Sequence, residues 1–227
     1  MTHLNNQVIS CPEKKAIAET VHETLSEFRD ELKGLVDSGY AGYTDILEGS
    51  CFYYAALGAE VCTKFYQQKF NDTVSSYTMD AGYFALRPYK DKTQKSEWFI
   101  YSGEISNNRN NYHCWIYSQS ITVKHHRKPE IIDFTARHYK AQVDKKADLN
   151  WEREDLEGEN FIWTNDFDDL EFNRGLLFRA RENTIKFVLN KWKNDSIKND
   201  SLPKRMMKKS EEILNCKLAS LSNEAQS

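Results

Sequence analysis

No run in the 227 residues approaches the roughly eighteen consecutive apolar residues of a membrane helix. Residues 1–12 are polar and lack the apolar stretch of a secretory signal, so the expected location is cytoplasmic and no membrane partner is expected. Positive charge is not in excess either. The net charge is −3, and the basic residues cluster only in the tail, at Lys204, Arg205, Lys208 and Lys209, which argues against nucleic acid as a partner. There is no CxxC. Five cysteines, at 11, 51, 62, 114 and 216, are an odd number with scattered spacing, which excludes a disulfide framework and leaves free thiols. A zinc site from Cys51, Cys62, His113 and Cys114 matches no structural zinc spacing. Residues 113 and 114 would also point to opposite faces of a strand. Neither metal nor cofactor is expected. Internal repeats and low-complexity tracts are absent.

What is present suits a packed core. Apolar residues make up 40% and charged residues 29%, and the length fits one domain, 1–227, with an extension. Apolar residues at Ile17, Val21, Thr24, Phe28, Leu32 and Leu35 recur at helical steps and predict an N-terminal helix over 13–37. A second helix is predicted over 51–70, capped by Ser50, apolar almost all round and therefore buried. Its face of Cys51, Ala55, Gly58, Ala59 and Cys62 is small, so something packs closely there. Segments 74–86, 96–103, 112–119 and 129–135 are rich in aromatic and β-branched residues and predict strands. Residues 141–171 look irregular and acidic, apart from the aromatic FIWTN at 161–165. Helices are predicted over 174–193 and 204–218, with 219–227 frayed. One buried helix followed by consecutive strands implies an α+β fold with an antiparallel sheet.

Three segments carry possible chemistry. Cys51 opens the buried helix, His113 opens the YHCWIY strand, and Asp133 closes the EIIDFT strand. A thiolate is the reactive form of cysteine, and a helix N-terminus and a neighbouring imidazolium both stabilise it. A carboxylate on the adjacent strand would orient the imidazole, and the amides of the first helical turn could receive an oxyanion.

These residues also carry a resemblance. GSCFYYAAL at 49–57 is similar to the transglutaminase-like pattern in which G-x-C opens a buried helix; YHCWI at 112–116 resembles that superfamily's His-x-Trp strand; IIDFT at 131–135 resembles its Asp-x-Thr strand. The set looks most like a family of uncharacterised bacterial proteins with a papain-like, transglutaminase-like core, and it spans about residues 45–137. The resemblance implies a central helix packed on an antiparallel sheet, with the N-terminal helix against it and the C-terminal extension, 141–218, as a helical cover. It implies hydrolysis or acyl transfer at a peptide, amide or thioester bond of a peptide, protein or small acyl substrate. Cys51 would be the nucleophile, His113 the general base and acid, and Asp133 the orienting carboxylate. Papain-type proteases carry a Gln upstream of the cysteine as a further oxyanion donor; Thr44–Glu48 contains none, which leaves Tyr43 or Ser50 as substitutes and Trp115 as a shield beside His113. The missing Gln also keeps a second class open, a binding module that retains the fold without turnover. A redox or modification sensor at Cys51 is a third.

Other candidates read as ordinary structure. Cys62 belongs to the core, and Cys114 alternates away from His113 to pack under other helices. His22 falls on the exposed side of the first helix, and His138 is a spare base with no partner in sequence. His125 and His126 read as a solvated loop, as does the acidic run Asp166, Asp168, Asp169 and Glu171. Loop 106–112 could line a cleft or be a plain polar hairpin.

Overall fold

The computed structural model describes residues 9–33, 47, 50–73, 75–89, 98–105, 111–119, 129–145 and 151–224. Tyr43, most of the Thr44–Glu48 stretch, His125, His126 and residues 106–110 lie outside the described residues.

Helix α1 spans Cys11–Glu27. The Glu13 carboxylate accepts the Ser10 N–H (2.9 Å) at its start, and Pro12 occupies the first turn, where a missing N–H does no harm. Its buried stripe, Ala16, Ile17, Val21 and Leu25, follows the predicted period. The single helix expected over 13–37 is broken at Phe28, and a short α2 follows at Arg29–Lys33. The hydroxyls of Thr20, Thr24 and Ser26 each bond the carbonyl four residues back (2.7, 2.8 and 2.8 Å), a pattern that bends helices and weakens their last turn. Helix α3, Cys51–Phe70, is buried on nearly every side, and Asn71 closes it in the left-handed conformation, φ 49°.

Strands β1 (Ser76–Leu86), β2 (Phe99–Ser102), β3 (His113–Gln119), β4 (Ile131–Asp133), β5 (Ile162–Thr164) and β6 (Leu176–Ala180) form one six-stranded sheet. All of the strand pairings are antiparallel. Gly82 pairs with both His113 and Ala180, and Tyr83 with both Ser102 and Arg179. Thus β6 lies along one side of β1, while β2 and β3 run end to end along the other. The excursion between β2 and β3 is pinched where Gly103 N–H bonds Asn111 (2.8 Å), and the chain re-enters the sheet at His113.

Strand β6 corrects the sequence reading. Residues 176–180 were expected in a helix over 174–193, yet helix α5 begins only at Glu182 and runs to Asp195. An apolar run as short as LLF fits either period, and the open side of β1 decides it. Gly82 permits the contact, because a Cβ there would sit 2.4 Å from the Arg179 carbonyl oxygen. Residues 141–171 are also less irregular than expected. They contain most of α4 (Tyr139–Asp144) as well as β5 from the FIWTN segment. Helix α6 runs Leu202–Glu224, so 219–224 are helical rather than frayed.

The fold is α+β, with two cores on the two faces of the sheet. One face packs Met79, Ala81, Cys114, Ile116 and Ile132 against α1, α3 and α6. The other packs Phe84, Trp115, Ile131 and Phe178 against Tyr139, Val143, Leu156 and Leu170. Among the described residues, no helix is long and apolar enough to cross a membrane.

The small face of α3 is where the helix meets the sheet. A Cβ on Gly58 would lie 2.6 Å from Ile116 Cδ1 and 2.7 Å from Phe134 Cε2. Gly58→Ala is therefore expected to destabilise the fold by about 1–3 kcal/mol, since overpacking outweighs the helix propensity gained. Urea unfolding measures this, and an unchanged or raised midpoint would mean that Ile116 and Phe134 yield freely.

Candidate active site

Cys51 is the first residue of α3, with Ser50 at the N-cap. Tyr53 and Tyr54 donate their amides to the Ser50 carbonyl (2.9 and 3.1 Å). The amides of Cys51 and Phe52 come before the first intrahelical acceptor, as the opening positions of any helix do. Ser50 is buried but makes no side-chain cap hydrogen bond, contrary to the capping role expected for it. The backbone turn at Leu47, whose carbonyl accepts the Ser50 N–H (3.2 Å), sets the helix start instead.

His113 and Asp133 meet as the strand order required. The pair Ile116–Ile132 sets the β3–β4 register, and β4 ends one residue later at Asp133. His113 Nε2 lies 2.5 Å from Asp133 Oδ2, with the two residues 0% and 1% exposed. The carboxylate is saturated. Oδ2 also accepts the Tyr139 hydroxyl (2.7 Å), while Oδ1 accepts the Thr135 amide (2.8 Å) and the Thr135 hydroxyl (2.5 Å). Aromatic rings fix the imidazole plane. Phe84 lies 4.5 Å from it between centroids, Tyr101 5.7 Å, Phe178 6.3 Å and Trp115 6.4 Å, so Trp115 does share the face of His113.

With Nε2 committed to Asp133, Nδ1 is the ring nitrogen left. It is buried and has no hydrogen bond of ordinary geometry. The Cys51 thiol interacts with this ring, and each group moves the other's titration. Cys51 also interacts with Cys114, the next residue of β3. Cys114 therefore packs beneath α3 itself, against the candidate nucleophile, rather than under other helices. Residues 113 and 114 have no described strand partner on the β4 side, so the end of α3 can reach both of them.

The charges follow from these contacts. The neighbouring Cys114 pulls the Cys51 thiol down to about 5 against the opposing effect of burial, helped by the adjacent His113 charge. Burial disfavours a charged His113, but the Asp133 carboxylate overrides it and, with Cys51, pushes the imidazole up to about 10. Burial opposes the ionised form of Asp133 too, and the His113 charge with the Thr135 and Tyr139 hydrogen bonds still holds its carboxyl below the ordinary range. Burial and the neighbouring thiolate push Cys114 well above its ordinary value. At neutral pH the group is a Cys51 thiolate, a His113 imidazolium, an Asp133 carboxylate and a Cys114 thiol. Such a thiolate can attack an electrophilic carbon, and the imidazolium can deliver a proton to what departs.

Tyr139, Thr135 and Cys114 are the residues that sequence reasoning passed over or misplaced. The Asp-x-Thr spacing held a signal, since an Asp side chain often bonds the backbone two residues on. Tyr139 had none, because its helix lies at the edge of a segment without clear periodicity. The other two histidines among the described residues are likewise not solitary. The Tyr54 hydroxyl lies 2.5 Å from His22 Nδ1 and 3.2 Å from His138 Nε2, so His22 is half-buried against α3 and His138 has a partner. Neither of these bonds reaches the Cys51 cluster. Among the described residues, no group of three or more His, Cys, Asp or Glu is arranged to hold a metal. No protein-family model matches the chain, and no curated protein or solved structure matches it either.

Proposed function

We propose that the chain is a cysteine hydrolase or acyltransferase with a papain-like or transglutaminase-like core, in which Cys51, His113 and Asp133 act as a triad. The observation that carries this is the helix-end thiol beside a ring held by four aromatic neighbours, the ring bonded in turn to a carboxylate with four donors. The substrate is a peptide, protein or small acyl compound with a peptide, amide or thioester carbonyl. Cys51 Sγ attacks that carbonyl carbon, and the oxyanion rests against the Cys51 and Phe52 amides. The His113 imidazolium gives its proton to the departing amine or thiol, leaving a thioester on Cys51. Neutral His113 then takes a proton from water or an incoming amine as that group attacks, and the thiolate is restored. Asp133 keeps the ring in one orientation and stabilises its charged form.

Exposure favours a second reading. Cys51 is only 6% exposed, which suits a binding module that retains the fold without turnover. An activated aryl ester, nitrophenyl acetate, separates the two. The enzyme is expected to release a burst of nitrophenol and gain one acetyl group, mapped to Cys51 by mass spectrometry and missing in Cys51→Ser. No burst, or acetylation spread over Cys11 and Cys216, would sink the catalytic reading.

A further inference from the structure

We propose that Cys51 and Cys114 form a redox pair, in which a hydroperoxide converts the reactive thiol of Cys51 into a Cys51–Cys114 disulfide that switches the site off. The proposal rests on the nucleophilic Cys51 thiolate of the preceding reading, but needs no acyl chemistry. In that chemistry Cys114 neither makes nor breaks a bond. It lies one residue beyond His113, 1% exposed, in the same contiguous core as Cys51.

The packing of α3 on β3 places it there. Gly58 is seated on Ile116, close enough that an added Cβ would clash with Cδ1. Two turns back along the helix stands Cys51, and two residues back along the strand stands Cys114. The spans, about 10 Å along a helix and about 7 Å along a strand, are short enough to keep both residues within the α3–β3 seam. There the two residues share one buried cluster, close enough for each thiol to act on the other. The two residues differ in the way a peroxide-reactive pair requires. Cys51 retains 6% exposure at the helix end, while Cys114 keeps its proton beneath it. The first is suited to attack an oxidant and the second to resolve the product.

The steps balance. The Cys51 thiolate attacks one peroxide oxygen, an S–O bond forms and the O–O bond breaks. The departing hydroxide takes the His113 proton and leaves as water, and Cys51 is oxidised by two electrons to a sulfenic acid. Loss of the negative charge on Cys51 removes the repulsion that held the Cys114 proton in place. Cys114 sulfur then attacks Cys51 sulfur, the S–S bond forms, and the S–O bond breaks. The hydroxyl leaves with the Cys114 proton as a second water. In sum, two thiols and one hydrogen peroxide give one disulfide and two waters. A thiol reductant reverses the bond by exchange and restores the nucleophile.

Hydrogen peroxide added to the full chain, followed by a maleimide quench and non-reducing peptide mapping, tests this without any substrate. The expected result is a Cys51–Cys114 linked peptide two hydrogens lighter than its halves, loss of iodoacetamide labelling at Cys51, and recovery of both on adding dithiothreitol. In Cys114→Ser, peroxide should instead carry Cys51 on to sulfinic acid, with labelling lost irreversibly. Cys51 found as sulfenic or sulfinic acid in the wild-type chain with Cys114 still alkylatable would overturn the pair while leaving the thiolate reading intact. Cys51 inert to both peroxide and iodoacetamide would overturn both.

Discussion

Replacing Asp133 with alanine is expected to lower folding stability by about 3–5 kcal/mol, the usual consequence of removing one partner from a buried charge pair. That is a large part of the total stability of an ordinary domain. Four donors converge on this carboxylate, from the Thr135 amide and hydroxyl, the Tyr139 hydroxyl and His113 Nε2. Alanine leaves all four facing each other in a site closed to water, and an orphaned buried donor costs more than its hydrogen bond contributed. Asp133→Asn keeps the volume without repairing the site. Turned one way, the side-chain NH2 meets the Thr135 amide, donor against donor; turned the other, it faces His113 Nε2, which can accept only by giving up its proton and charge. Both variants should therefore lower the urea midpoint clearly at pH 7. The pH dependence has a definite sign. The Asp133 carboxyl is held below its ordinary value, so its contribution is fully present above the unfolded value of about 3.9 and disappears as pH falls through the lower folded value. The gap between wild type and Asp133→Ala should persist down to about pH 4 and close below it. Equal midpoints at pH 7 would mean that the carboxylate is not engaged as described.

The legibility of this site in the sequence has a physical pattern. Chain order and element type were enough to bring Cys51, His113 and Asp133 into one neighbourhood, because a buried helix and adjacent antiparallel strands leave few arrangements. The small face of α3 was legible for the same reason, and Gly58 on Ile116 and Phe134 is the contact it implied. What escaped were features decided by tertiary partners. LLFRA at 176–180 becomes a strand because β1 offers an unpaired side where Gly82 lets a backbone approach. Tyr139 donates to Asp133 because a turn after β4 brings it back, which no local period encodes. Cys114 was rightly placed on the opposite face from His113. The error lay in assuming that this face was remote from Cys51, when α3 itself covers it. His22 was assigned to solvent from helical periodicity, but the Tyr54 hydroxyl draws it against α3. Alternation and periodicity say which way a side chain points; they do not say what is waiting there.

Removing the His113 charge should change the shape of the labelling profile at Cys51 as well as its height. With the thiol at about 5, wild-type Cys51 is already thiolate at pH 6, and iodoacetamide labelling should be nearly flat from there upward. In His113→Gln the thiol moves up toward the ordinary value of about 8.5; a complete return would cut the thiolate fraction at pH 6 by a factor of about 300, which is the upper limit because the influence of Cys114 remains. A thiolate of higher pKa is also the better nucleophile, with a Brønsted slope of about 0.4–0.5, which returns a factor of about 40. The net loss at pH 6 is therefore at most about tenfold, the two profiles cross at about pH 7 or below, and above the crossing the variant is faster. The neighbouring Cys114 softens the change without reversing it. His113→Gln also leaves Asp133 without its counter-charge, so folding needs an internal monitor. Cys62 provides one, since it is completely buried and should stay unlabelled wherever the chain is folded. Crossing profiles with Cys62 protected would identify an imidazolium acting on the Cys51 thiolate. A wild-type profile that itself climbs tenfold per pH unit between 6 and 8 would show an ordinary thiol, and the acyl-transfer reading would fall with it.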